Sequence, residues 1–298
     1  MPRAKGIAMN EIDAAIKVAE AQGVGPRRAA CLWKACGSFT AVHNSSATEL
    51  AHMLQCDIRR AQLIRNSIRT SSLRSHRLRA KREGVVPIAL GQPQYPPLLS
   101  HIGDPPTVVW TKGNLEALQE PAAAVVGARI CTPEAPEIVG EFTRGLCSSG
   151  WAIVSGGARG VDAAAHRTAV QCGAPTIVVM GSGIDCIYPP EHQELFAEVV
   201  ANRGILISEY SCGTTPRAGY FPARNRIIAG ISVGVLMIEA GARSGALITG
   251  RLAAEDYGRE VMAVPGCVAD GRSDGSHRAI REGWAALVER PNHAIEHL

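Results

Sequence analysis

Short apolar runs alternate with helix-length segments along the C-terminal part of the chain. The runs are rich in Val and Ile without polar alternation, and they cover residues 123–127, 152–156, 176–180, 205–209, 234–239 and 260–266. Strands of this kind are typical of a sheet that is covered on both faces. Helices are predicted between them, for example over Glu134–Ser148, Val161–Gln171 and Gly245–Tyr257. The alternation predicts an α/β fold with a doubly wound, mostly parallel sheet and right-handed crossovers.

The N-terminal part has a different pattern. Apolar residues recur at helical spacing over Ile12–Ala19 and Leu50–Leu54, which predicts short helices. We therefore predict a small all-α domain over residues 1–83 and an α/β domain over residues 84–298. The start of the second domain, residues 84–121, is rich in proline and is predicted to be an extended lead-in lying on the rest of that domain.

Hydropathy and cysteine usage narrow the class of protein. No apolar run among the 298 residues is long enough to span a bilayer, and the N-terminus lacks an apolar stretch of the signal-peptide type. The nine cysteines form no CxxC pair and no cluster with zinc-ligand spacing. These patterns predict a cytoplasmic, soluble protein without a metal site, whose cysteines are small buried hydrophobes.

Charge is divided unevenly along the chain. Residues 1–82 carry 15 Lys and Arg against 5 Asp and Glu, whereas the remaining residues carry 16 against 22. Nine of the basic residues lie within 59–82, where there is no acid. This basic stretch either follows a phosphate backbone or forms a helix surface packed on the acidic second domain.

A glycine turn precedes one of the predicted N-terminal helices. The segment Gly23-Val24-Gly25-Pro26 resembles the hairpin with which helix-hairpin-helix modules present backbone N–H groups to a phosphate. The alternative is a plain helix-to-helix turn with Pro26 at the first helical position.

The predicted strands end in glycine-rich segments, where open α/β sheets bind their ligands. The second strand of the series ends in Ser155-Gly156-Gly157-Ala158-Arg159-Gly160, just before a predicted helix. We expect this loop to be an anion cradle, with outward N–H groups and the Arg159 fork suited to phosphate. Its spacing matches neither a dinucleotide-binding GxGxxG fingerprint nor a Walker P-loop.

Asp162 and His166 follow on one face of that helix, four residues apart. His166 is either a base or phosphate contact, or a side chain packed beside an Asp162 that satisfies helix N-terminal amides. The residues allow both interpretations, and the second is favoured.

A further segment combines aromatic rings with arginines. Residues 219–226 read Gly-Tyr-Phe-Pro-Ala-Arg-Asn-Arg, which places a stacking surface beside phosphate forks. This combination is typical of sequence-tolerant binding to single-stranded nucleic acid. The alternative is a core aromatic side chain next to solvated arginines.

These motifs together resemble the DNA-processing protein A family, also called DprA or Smf. The resemblance covers about residues 85–285 and rests on VVGAR, SGGARGVDAAAH, GSGIDCIYPPEHQELF, YFPARNRIIAG and EAGARSGALITG. It implies an extended Rossmann-like fold after a sterile-alpha-motif-like helical domain, and a homodimer. It further implies that the protein binds and protects incoming single-stranded DNA and loads the RecA recombinase on it in natural transformation. No nucleophile with a base and an orienting group can be assembled from the sequence, so we expect no catalytic residue and no cofactor.

Site residues follow from the same resemblance, position by position. It implies that the DNA pocket is lined by Arg129, Ser155, Gly156, Gly157, Arg159, Gly160, Phe221, Arg224, Asn225 and Arg226. It implies that the floor of the pocket is shaped by Glu239, Ser244 and Gly245.

The chain departs from the family pattern in three places. A basic residue expected before the third strand is absent around Pro175, and the GxNxLI segment near the end has His277 in its place. The chain ends at Leu298, so we expect no C-terminal winged helix. The main alternative function is that of a phosphoribohydrolase of the lysine-decarboxylase-like type, but its PGGxGTxxE loop is missing.

Overall fold

A nine-stranded sheet forms the centre of the computed structural model, which describes residues 9–71 and 73–298. Residues 1–8 and 72 of the predicted helical domain lie outside the described residues. The strands are β1 (Val86–Ala89), β2 (Val108–Gly113), β3 (Ala122–Gly127), β4 (Ala152–Ser155), β5 (Thr176–Met180), β6 (Ile205–Ser208), β7 (Gly234–Ile238), β8 (Glu260–Ala263) and β9 (Ala286–Leu287). Their order is β1-β2-β6-β5-β4-β3-β7-β8-β9.

Strand directions agree with the predicted parallel sheet. In the order of the sheet, all neighbouring pairs from β6 through β5, β4, β3, β7 and β8 to β9 are parallel. These strands include all six that the apolar runs predict. The pairs β1–β2 and β2–β6 are antiparallel.

The proline-rich lead-in is part of this sheet, which differs from the expected extended segment lying on the domain. Its strands β1 and β2 continue the sheet beyond β6. Because β2 pairs with β6, the backbone N–H and C=O groups at that edge of β6 have hydrogen-bond partners. The side chains of Val108, Val109 and Trp110 on β2 are buried.

Helices cover both faces of the sheet. They are α7 (Ala135–Ser148), α8 (Val161–Gln171), α9 (Gln193–Ala201), α10 (Tyr220–Ile231), α11 (Gly245–Arg251), α12 (Asp274–Arg281) and α13 (Pro291–Glu296). Successive residues of β3 alternate between two apolar clusters, with Ala124 in one and Val125 in the other. The predicted helix over Gly245–Tyr257 changes to a π-helical turn over Leu252–Asp256.

The described part of the N-terminal region contains six helices, of which α1 and α6 contact strands β1 and β2 of the sheet. They are α1 (Glu11–Ala19), α2 (Pro26–Cys36), α3 (Phe39–Asn44), α4 (Ala47–Leu54), α5 (Ile58–Thr70) and α6 (Arg74–Glu83). Side chains of Asn10, Ser38, Ser46 and Asp57 cap four of them. Ile16 and Leu32 belong to the same apolar core as Trp110. Pro26 is the first residue of α2, as the plain-turn alternative requires.

The basic stretch lies on α5 and α6, and part of it is occupied by internal contacts. Arg77 pairs with Asp13 at 2.9 Å, and Arg79 pairs with Asp185 of the α/β part. Arg65 donates to the Ser45 carbonyl at 3.2 Å. These contacts favour the packed helix surface for those residues, whereas Arg59, Arg60 and Arg69 are exposed. Within the described residues, no helix is long and apolar enough to cross a membrane.

Candidate nucleic-acid interface

The glycine loop after β4 is closed by a carboxylate of the chain itself. Asp162 is 7% exposed, and its Oδ2 accepts hydrogen bonds from the backbone N–H groups of Gly156 at 3.1 Å and Ala158 at 3.2 Å. Burial raises the pKa of Asp162, and the nearby Arg224 opposes this shift. These two amides therefore do not point outward as we expected for an anion cradle.

Gly160 joins this loop to the loop after β3. Its φ is +72°, and a Cβ atom there would lie 2.2 Å from the Ala128 carbonyl oxygen. Val161 N–H donates to the same oxygen at 3.1 Å. The backbones of the two loops touch at this point, which only glycine permits.

Arg224 is an internal brace, in contrast to the phosphate fork expected from the sequence. It is 4% exposed, and its Nη1 donates to the Gly156 carbonyl at 2.6 Å and to the Val179 carbonyl. Burial lowers the pKa of Arg224 to about 10, while Asp162 opposes the shift. The guanidinium thus ties together the carboxyl ends of β4 and β5 beneath the surface.

Ser155 and Asn225 have similar internal contacts. The buried Ser155 hydroxyl donates to the Val125 carbonyl at 2.6 Å, and the Asn225 side-chain amide donates to the Gly245 carbonyl at 3.2 Å. Both side chains therefore hold neighbouring strand-end loops in register.

An aromatic pair with exposed arginines lies above this framework. The rings of Tyr188 and Phe221 have centroids 5.2 Å apart, and Tyr188 is 40% exposed. The Arg129 guanidinium lies 5.8 Å from the Phe221 centroid. Arg159, on the Gly156–Gly160 loop, is exposed and pairs with Glu191. We call Arg129, Arg159, Tyr188 and Phe221 the Phe221 surface.

A cavity of about 660 Å³ adjoins this surface, and Glu239, Ser244 and Gly245 lie along it. Glu239 has a left-handed φ of +51°, and one carboxylate oxygen accepts from the Thr132 N–H at 2.9 Å. The Ser244 hydroxyl caps α11 by accepting from Ala246 N–H. A non-glycine residue held at positive φ beside a cavity is a feature of functional sites.

The structure places Arg226 apart from the other predicted residues. It pairs with Glu209 and, at 3.5 Å, with Asp104, and it lines a different cleft that faces α1 and α2. Tyr220 lies on that side too, stacked on Tyr210 with centroids 4.1 Å apart. The predicted site residues other than Arg226 thus lie around the cavity and the Phe221 surface, and their contact with DNA is a prediction.

Three residues missed by sequence reasoning belong to this region. Tyr188 forms half of the aromatic pair, and Arg243 and Arg272 are exposed along the cavity. Tyr188 belongs to the IYPP segment in the loop that follows β5. An aromatic residue in a loop after a predicted strand was the sequence signal that could have identified it. Arg272 comes from a loop after β8, for which the sequence offers no comparable signal.

His166 has a structural role. It is fully buried, with Nδ1 at 2.8 Å from the Thr176 hydroxyl, and burial lowers its pKa to about 3. The ring is therefore neutral at physiological pH and packed inside, as the favoured interpretation has it. Over the described residues, no group of three His, Cys, Asp or Glu side chains is arranged to hold a metal ion.

Two of the three departures from the family pattern, at His277 and around Pro175, lie in described segments and are local. His277 Nε2 lies 3.2 Å from the backbone of Gly266, so it still ties α12 to the loop after β8. The Pro175 carbonyl accepts from Ile153 N–H at 3.0 Å, next to the β4–β5 pairing.

Comparison with known families identifies the relatives of this fold. The family described as DNA recombination-mediator protein A matches residues 87–298. The chain belongs to this family. It is 46% identical over 194 residues to the DNA processing protein DprA of Streptococcus pneumoniae, covering 65% of this chain and 67% of that protein. It is 41% identical over 204 residues to Protein Smf of Escherichia coli, covering 68% of this chain but 54% of that protein.

Solved structures agree with the family assignment. The X-ray structure of DprA from Streptococcus pneumoniae aligns with a TM-score of 0.84 at 33% identity, over 97% of this chain and 98% of that one. DprA from Helicobacter pylori, whose structure concerns a single-stranded DNA binding mode, aligns with a TM-score of 0.64 at 28% identity, over 71% and 94%. The predicted Rossmann-like α/β fold, with a helical part before it, is confirmed.

Proposed function

We propose that this chain binds single-stranded DNA across the Phe221 surface. The observation that carries the proposal is a pair of rings, the exposed Tyr188 and the partly buried Phe221, beside the exposed cation Arg129. Bases stack on aromatic rings whatever their identity, and arginines neutralise the phosphates between them. The buried Arg224 brace and the touching glycine loops hold these groups on a rigid base.

The strand then has a defined path from this surface. Its phosphates follow the exposed arginines Arg129 and Arg159 and continue to Arg243 and Arg272 along the cavity. The remaining predicted residues act mainly by shaping the loops, and these are Ser155, Gly156, Gly157, Gly160, Arg224, Asn225, Glu239, Ser244 and Gly245. The single-stranded DNA binding mode described for the Helicobacter pylori relative supports this assignment.

Membership in a family of recombination mediators supports the partners that we propose. In this proposal the protein is a cytoplasmic homodimer that protects incoming single strands and loads a RecA recombinase on them during natural transformation. The matched segment covers 67% of the Streptococcus pneumoniae relative and 54% of the E. coli relative. The activity and the partners of the whole protein are therefore part of the proposal.

We also propose that the protein is not an enzyme. The ionisable groups near the strand ends are engaged in structural contacts: Asp162 accepts two loop amides, Glu239 accepts from Thr132, and His166 is buried and neutral. A nucleophile with a base and an orienting group, which hydrolysis would need, is not assembled from these three residues.

The proposal is tested by fluorescence anisotropy with a labelled oligo-dT and a blunt duplex of matched length. The single strand should bind much more tightly, because paired bases cannot reach Tyr188 and Phe221. Equal affinities for the two forms would overturn the proposal. Metal-dependent cleavage of either DNA by the pure protein, lost on a substitution in the Phe221 surface, would overturn the non-enzymatic part.

A further inference from the structure

A second cleft lies on the other side of α10, against α1 and α2. Its volume is about 570 Å³, and aromatic residues Trp110, Tyr210 and Tyr220 form part of its wall. Tyr220 and Tyr210 are stacked and only partly buried, so a ring face or edge is accessible there. We call this space the Tyr220 cleft.

The charge of the Tyr220 cleft is opposite to that of the Phe221 surface. Three carboxylates, Glu20, Asp104 and Glu209, line it together with a single guanidinium, that of Arg226. A phosphate would meet more negative than positive charge here. The cleft therefore favours a neutral or cationic ligand.

Arg226 has an unused hydrogen-bond donor. Its side chain is 9% exposed, its Nη2 donates to Glu209, and its Nε lies 3.5 Å from Asp104. Its Nη1 is buried and, within the described part of the chain, has no hydrogen-bond partner. A buried donor without a partner is unfavourable, so the protein would be stabilised by a ligand whose acceptor pairs with this guanidinium once the guanidinium turns toward the cleft.

The Arg226 guanidinium pairs with both Glu209 and Asp104, so one donor group stands between two acceptor groups in the lining of the cleft. We propose that the Tyr220 cleft binds a nucleobase with an exocyclic amino group beside a ring nitrogen acceptor, as in cytosine or adenine. The amino group donates to a carboxylate, the ring nitrogen accepts from Arg226, and the base packs on Tyr220. Thymine and uracil fit poorly, because two carbonyl oxygens flank their single N–H and face the carboxylates.

Such a base has two possible sources, a free nucleoside or a bound DNA strand. Exposed arginines are available for strand phosphates: Arg217 lies 5.7 Å from the Tyr220 centroid, and Arg27 lines the adjoining cavity. The strand source rests on the proposed function, whereas the nucleoside source does not.

Backbone NMR of the full chain tests the proposal with four probes: cytidine, uridine, oligo-dC and oligo-dT. Cytidine or oligo-dC should shift the amides of Gly25, Thr107 and Ser211, which line the cleft, and uridine and oligo-dT should not. Shifts with cytidine identify a nucleoside site, and shifts with oligo-dC alone identify a base of the strand. If no probe shifts these amides, or if the uridine and oligo-dT shifts equal the others, the proposal is overturned. An arginine-rich peptide that shifts them where the bases do not would overturn it in favour of a protein partner.

The Glu209→Gln variant, with Glu194→Gln as the exposed control, then tests the recognition. The ratio of oligo-dC to oligo-dT affinity, or of cytidine to uridine shifts, should fall several-fold in Glu209→Gln and stay unchanged in Glu194→Gln. An unchanged ratio in a folded Glu209→Gln protein overturns the proposal. If that variant does not fold, the wild-type shifts above decide. If no probe shifts the cleft amides of the wild-type protein while oligo-dT still binds at Phe221, this inference is contradicted and the proposed function stays intact.

Discussion

Phe221 and Tyr220 are neighbours in the sequence, but they face two surfaces of different chemistry. Phe221 lies beside Tyr188 and the exposed Arg129, whereas Tyr220 lies in a cleft with three carboxylates and the buried Arg226. The same aromatic and basic motif therefore serves both surfaces. The surrounding loops, rather than the motif itself, therefore decide whether a surface attracts phosphate.

The arginines show the same division. Arg224 and Arg226, which the motif emphasises, are 4% and 7% exposed and satisfy groups of the protein. The cations that solvent can reach near Phe221 come from other loops, namely Arg129 and Arg159. Substitutions should therefore separate stability from binding.

The largest effect is expected from removal of the internal brace. Arg224→Ala leaves the Gly156 and Val179 carbonyls and the Asp162 carboxylate without their buried partner, and should destabilise the fold by about 3–5 kcal/mol. Arg129→Ala, on the surface above, should change stability by less than about 0.5 kcal/mol. Urea unfolding measures both, and a wild-type midpoint for Arg224→Ala would show that the brace is dispensable.

The second prediction concerns how the stability of the fold depends on pH. The pKa of His166 is about 3 in the folded protein, below its usual value of 6.5, so the unfolded chain binds the proton first as pH falls. The contribution of His166 is therefore complete above about pH 6.5 and is lost toward pH 3, by about 1.4 kcal/mol per pH unit.

Urea titrations between pH 7 and pH 5 test this prediction. His166→Gln should flatten the dependence of the unfolding free energy on pH, whereas the exposed His52→Gln control should leave it as in the wild type. Equal slopes in His166→Gln and wild type would contradict a buried neutral ring.

The third prediction compares the two neighbouring rings directly. Phe221→Ala should weaken oligo-dT binding by about 1–3 kcal/mol, because a stacking platform is lost. Tyr220→Ala should change it by less than about 0.5 kcal/mol, since its ring faces the Tyr220 cleft. Anisotropy titrations give both values, and a larger loss for Tyr220→Ala would reverse the roles that we assign.

The smallest effect is expected for a single exposed cation. Arg129→Ala should cost less than about 1 kcal/mol but should reduce the salt slope of oligo-dT binding by about 0.7, the value for one phosphate contact. Arg144→Ala, an exposed arginine on α7, is the matched control and should leave the slope unchanged. A salt series with indistinguishable slopes for the two variants would remove Arg129 from the strand path.

The sheet was predictable because its buried strands are continuous apolar runs. The predicted strands from 123–127 to 260–266 correspond to β3 through β8. The lead-in was less predictable, because prolines mask the short strands Val86–Ala89 and Val108–Gly113, whose pairing depends on the distant β6. Local pattern does not encode such long-range pairing.

The region of the site was also predictable, but the directions of its side chains were not. Glycine loops and the Tyr220–Arg226 segment do meet at one edge of the sheet, as the parallel topology requires. Arg224 and Arg226 point apart because residues two positions apart on a helix do not share a face. Occupation of the loop amides by Asp162 depends on tertiary burial, which the motif alone does not reveal.

Ultraviolet cross-linking of oligo-dT to the full chain, followed by peptide mass spectrometry, tests the central claim most directly. We predict cross-links on the peptides that contain Tyr188 and Phe221, because thymines stack there. Cross-links confined to the basic helices α5 and α6, over Ile58–Glu83, would contradict the account and place the DNA on the N-terminal helices.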